Sequence, residues 1–126
     1  MTVTQTGLGE FGANPPAVQI RRLFELAERY DCDLDMHLDF DLNPEGMTIS
    51  EVIRCTRECG WQNRVTIGHV TKLSALPPEL FEETARALAE AGVQVTALPS
   101  TDLFLNGLNR LGLLHNLLGV QDGNRR

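Results

Sequence analysis

The sequence predicts an α/β domain in which about three parallel strands alternate with helices. Two observations carry this expectation. A helix-like stretch, a short turn and a strand-like stretch follow one another three times, the rhythm of parallel strands joined by right-handed crossovers. The histidines closing the first two strands, His37 and His69, stand 32 residues apart, close to one βα unit.

The first helix should span residues 15–30. Asn14 offers an N-cap, and Pro15 and Pro16 suit a first turn. Val18, Ile20, Leu23, Phe24, Ala27 and Tyr30 approximate one apolar stripe. The first strand follows over residues 34–40. A second helix starts near Thr48, where Thr48 and Glu51 have the spacing of a capping box. Ile49, Val52, Ile53 and Thr56 form its inner side, and Gly60 supplies a stop. The second strand covers residues 64–69, with Val65 and Ile67 alternating. The third helix opens with Pro77, Pro78 and Glu79, carries the stripe Leu80, Phe81, Thr84, Leu88 and Ala91, and ends at Gly92. Residues 93–98 are the third strand. Residues 1–12 are glycine-rich and read as a loop or the end of another strand. Residues 106–120 suggest a leucine-rich helix interrupted by Gly107, Gly112 and Gly119, and residues 121–126 a polar, frayed tail. We expect one domain over residues 1–126.

Composition narrows the function classes. With 42% hydrophobic and 22% charged residues, the chain is globular rather than disordered. A net charge of -6 argues against nucleic acid or an anionic membrane as partner. No apolar run reaches bilayer-spanning length, and the first residues lack a signal-peptide pattern. The three cysteines make no disulfide framework; Cys55 and Cys59, one helical turn apart, read as small packed thiols. A cytoplasmic location is the expectation. Walker and dinucleotide glycine motifs, the Gly-x-Ser-x-Gly elbow and the zinc nucleoside deaminase signature are all missing.

Chemistry concentrates in the run Asp33-Leu34-Asp35-Met36-His37-Leu38-Asp39-Phe40-Asp41. Its even positions are apolar and its odd positions ionisable. In a strand these sets face opposite ways, so Leu34, Met36, Leu38 and Phe40 should pack under helices, with Asp35, His37 and Asp39 on the other face. Carboxylates flanking a histidine are costly to bury without a cation; the alternative is a solvated strand face. His69 ends the second strand as His37 ends the first. Imidazole is both a metal ligand and an acid/base near neutral pH. After the third strand, Ser100, Thr101 and Asp102 either contact a polar ligand or form a turn or helix cap. His115 is expected to be structural or on the surface.

Asp35-Met36-His37-Leu38-Asp39 and Gly68-His69-Val70-Thr71, with Leu98-Pro99-Ser100-Thr101-Asp102-Leu103-Phe104-Leu105, resemble the amidohydrolase superfamily in its cytosine deaminase-like branch. The likeness runs over residues 15–107 and matches strands five to seven of a (β/α)8 TIM barrel, so it implies a partial barrel of that kind. It further implies that His37 binds a divalent metal, iron or zinc. It implies that His69 acts catalytically beside the metal-bound water, and that a small heterocyclic ring loses ammonia or an amine by hydrolysis. Two departures stand out. The proton-shuttling glutamate of the family is replaced by Phe40, leaving Asp39 or Asp41 as the acid. The His-x-His pair of strand one and the aspartate of strand eight have no counterpart here. A barrel needs about 250 residues, so the chain reads as a truncated product or fragment, with residues 108–126 a divergent tail. Alone it is expected to be inactive, or to persist as a non-catalytic small-ligand or protein-binding remnant. Self-association into a homo-oligomer would cover its sheet edges.

Overall fold

A computed structural model describes residues 2–5 and 15–106. Asn14, His115, residues 108–126 and the helix expected beyond residue 106 lie outside them. The order of elements is β1 (Thr2–Gln5), α1 (Pro16–Tyr30), β2 (Asp33–Leu38), α2 (Ile49–Cys59), β3 (Val65–His69), a 3-10 turn (Thr71–Ala75), α3 (Pro78–Ala91), β4 (Val93–Thr96) and α4 (Pro99–Asn106). The four strands form one parallel sheet in the order β1-β2-β3-β4. The predicted α/β alternation is therefore present, and the glycine-rich start contributes a strand, with Thr2 opposite Asp33.

Periodicity explains the core. Leu34, Met36 and Leu38 of β2 and Val65 and Ile67 of β3 are buried in one cluster. They pack with Ile20, Leu23, Phe24 and Ala27 of α1 and with Ile49, Val52 and Ile53 of α2. All four inner residues proposed for the second helix are buried, Thr56 included. Asp31, Gly60 and Gly92 close the three long helices in the left-handed region, as a helix C-terminus favours.

Several expectations need correction. Val18 and Tyr30 are exposed, because the buried face of α1 is narrower than the predicted stripe. Leu80 and Phe81 are also exposed. Only the last turns of α3, through Leu88 and Ala91, reach the core, and among the described residues no strand lies beyond β4. The first strand stops at Leu38, where Asp39 takes a φ of 52°. The third stops at Thr96, before Pro99 opens α4. The capping box at Thr48 does not form. The Thr48 side chain makes no cap bond, Glu51 turns to Arg21 and Arg54, and the Asp39 carboxylate receives the Thr48 N–H instead.

Candidate functional site

In parallel α/β sheets, ligands bind beyond the carboxyl ends of the strands. That end of this sheet carries His37, Asp39, His69 and Asp102. β2 alternates as its sequence demands up to Leu38, leaving Asp35 and His37 on the face away from the core residues. On β3 the same rule would send His69 to the wrong side. Val65 and Ile67 are core residues, and His69 stands in register with buried Leu38. His69 instead adopts a φ of 69°, followed by Val70 at 48°. This breaks the alternation and swings the imidazole across to His37. A β-branched residue rarely adopts such a backbone, and strain of order 1–3 kcal/mol per residue is typical where a site needs it.

The two rings meet edge to face with centroids 5.0 Å apart, and His37 Nδ1 lies 3.2 Å from His69 Nε2. Gly68 is opposite His37 in the ladder. A methyl added there would sit 3.5 Å from the His37 ring, so the glycine leaves the ring a flat neighbour. The other nitrogen of His69, Nδ1, is 2.5 Å from Asp102 Oδ1, and both side chains are buried. α4 begins shortly after β4 and delivers Asp102 from its first turn. On the far side, His37 Nε2 is 3.9 Å from Asp35 Oδ1. The result is a row Asp102–His69–His37–Asp35 across the mouth of three adjacent strands.

The remaining candidates sit elsewhere. Asp39 does not continue the row of Asp35 and His37, because its positive φ turns it toward α2. Both carboxylate oxygens accept from the Thr48 N–H, at 3.2 and 3.0 Å. Burial pushes its pKa up, opposed by the Thr48 N–H and by the positive charge of Lys72. The Asp39 carbonyl accepts from the Lys72 N–H and the Thr71 hydroxyl, tying the loop after β2 to the 3-10 turn. Lys72 is itself buried and donates to the Glu45 carbonyl, with Asp41 at 3.3 Å. Phe40 does not pack under the helices as predicted; its ring lies 5.9 Å from that of His69. Ser100 and Thr101 are exposed. Cys55 and Cys59 are free thiols, Cys55 pushed up to about 11 chiefly by burial. Lys72 carried no sequence signal, since nothing marks a lysine for burial. Asp102 was visible as a polar residue after a strand, but not as the partner of His69.

A catalytic zinc site generally takes three protein ligands. Among the described residues no group of three or more His, Cys, Asp or Glu side chains is placed to hold a metal ion. The donor set described here does not by itself fit a catalytic iron or zinc.

No family model matches the chain. Individual proteins do. It is 26% identical over 87 residues to pterin deaminase of Rhizobium rhizogenes strain K84, covering 69% of this chain and 20% of that protein. It is 32% identical over 80 residues to N-isopropylammelide isopropyl amidohydrolase of Pseudomonas sp. strain ADP, covering 62% and 20%. The chain is homologous to a segment of the amidohydrolase-superfamily deaminases. The structure agrees with this kinship. N-isopropylammelide isopropylaminohydrolase of Burkholderia multivorans superposes with a TM-score of 0.63 at 26% identity, over 73% of this chain and 23% of the other. The 5-methylcytosine deaminase of Klebsiella pneumoniae with phosphonocytosine gives 0.71 at 20% identity, over 81% and 25%, a likeness of fold. The chain thus spans about a fifth of the length of these two relatives. Among the described residues no helix is long and apolar enough to cross a membrane.

Proposed function

We propose that this chain supplies part of the active site of an amidohydrolase-type hydrolase that cleaves a C–N bond on a small heterocyclic ring. The observation that carries the reading is the contact of His37 and His69. These are two strand-end histidines from consecutive βα units, brought together at 3.2 Å by an unusual backbone, in a segment similar to a pterin deaminase and to an N-isopropylammelide isopropyl amidohydrolase.

His37 is the metal ligand in this reading, and the remaining ligands come from outside the described residues. A bound divalent metal would lower the pKa of a water toward neutrality. The chain's own part is to present His37 and to hold His69 beside the reacting centre as acid or base. Ser100, exposed at the start of α4, is a substrate contact. Asp39 is engaged at the start of α2, so it holds the loop over the site rather than moving the proton that the family's glutamate would.

The test is release of ammonia or amine from cytosine, a pterin and N-isopropylammelide. The chain would be assayed alone and mixed with a polypeptide carrying the remaining strands of a relative. The chain alone should be inactive; the mixture should gain activity and bound metal, both lost in His37→Ala. Activity indifferent to His37→Ala would sink the proposal. A non-catalytic ligand-binding role is the second reading, favoured by Phe40 at the position of the family acid. It predicts ring binding by calorimetry without turnover in the mixture.

A further inference from the structure

We propose that Asp102 is the positioning residue of this site, and that it sets the tautomer of both histidines in series. A carboxylate oxygen offers lone pairs only. At 2.5 Å from Asp102 Oδ1, Nδ1 of His69 therefore carries the proton. In the neutral ring, Nε2 of His69 is then an acceptor. The group facing it at 3.2 Å is Nδ1 of His37, which must donate. That leaves Nε2 of His37 as the bare nitrogen. It lies on the half-exposed side of the ring, toward Asp35. One carboxylate thus decides, through two rings, which nitrogen His37 presents at the open end of the sheet.

Burial makes the assignment rigid. The side chains of His69 and Asp102 are only 9% and 10% exposed, so little water competes for Nδ1. A buried donor left without an acceptor is unfavourable, so the proton stays on the nitrogen that faces the carboxylate. Without Asp102, either ring could donate to the other and the lone pair on His37 would lose its fixed direction. Partners of this kind commonly orient imidazoles that act as ligands or bases. Asp102 reaches the site through His69, as a positioning residue. The catalytic meaning of this tautomer rests on the hydrolase reading above; the tautomer itself does not.

The test is a two-bond proton–nitrogen correlation spectrum of the full chain with labelled histidine nitrogens, recorded where the imidazoles are neutral. His37→Gln and His115→Gln chains assign the signals. His69 and His37 should each show a protonated Nδ1 and a bare Nε2. Asp102→Leu should abolish the Nδ1–H pattern at His69. A wild-type His69 with its proton on Nε2 would overturn the inference, as would an unchanged pattern in folded Asp102→Leu. If that variant fails to fold, the wild-type spectrum alone decides. The spectrum needs neither metal nor substrate, so a missing deaminase activity with this tautomer present would count against the hydrolase reading alone.

Discussion

Glu51 shows how one residue can be recruited away from the role its spacing suggests. Its carboxylate accepts from Arg54 and Arg21, and these hydrogen bonds, that from Arg54 foremost, lower its pKa from 4.5 to about 2. The folded value lies below the unfolded one, so the stabilisation is complete above the unfolded pKa and is lost as pH falls through the folded one. Both arginines are substantially exposed, and solvent screening holds such pairs to about 1 kcal/mol or less. Glu51→Gln should therefore lower the unfolding free energy by up to about that amount at neutral pH. The deficit should shrink between pH 4.5 and about 2. Denaturant titrations across that range would check it; a deficit constant with pH would refute it. Asp39 obeys the opposite sign. Its raised pKa means that burial of the charge opposes folding as pH rises through the folded value, which the bond from Thr48 only partly offsets.

At the scale of elements, the helix ends differ in how much they demand of glycine. Gly60 and Gly92 both close helices with positive φ, at 70° and 67°. Among the described residues a Cβ at Gly60 would meet nothing within 4 Å, whereas one at Gly92 would lie 3.0 Å from the Asn63 backbone nitrogen and 3.1 Å from Gln62 Cβ. Gly60→Ala should cost about 1–2 kcal/mol from the left-handed backbone alone. Gly92→Ala should cost more, because the Asn63 N–H donates to the Gly92 carbonyl and the two chain segments cannot separate freely. Melting temperatures of the two variants would rank them; equal losses would show that the crowding relaxes without penalty. The strand ends follow a related logic. A residue at positive φ follows β2 directly, Asp39, and another ends β3, His69. In one case this takes a carboxylate out of the expected row, and in the other it brings a histidine in.

For the whole molecule, the decisive feature is the edge at β4. Val95 is 48% exposed, and Leu80 and Phe81 of α3 are similarly open. Among the described residues β4 pairs only with β3. Its relatives extend well beyond the matched segment, which is where further strands would cover such an edge. Exposed apolar edge strands invite association. The isolated chain should self-associate as its concentration rises, and Val95→Lys should weaken that association several-fold in sedimentation equilibrium. A monomer at all concentrations, or no effect of the substitution, would place the edge out of reach of other chains.

The order of elements, the inner faces of α2 and β2 and the glycine stops were legible in the sequence, because they depend on local periodicity and backbone preference. That two histidines stand at equivalent strand ends, one βα unit apart, was legible in the spacing; their contact was not. What only the tertiary structure decided is where the ends of the strands turn. Alternation along β3 assigns His69 to the core face, and alternation along β2 assigns Asp39 to the open face; both assignments fail at a single positive φ. Such a backbone persists only when contacts from other elements hold it. These are the Asp102 carboxylate for His69 and the Thr48 and Lys72 N–H groups for Asp39. Those partners are distant in sequence, so no pattern around the turning residue announces them.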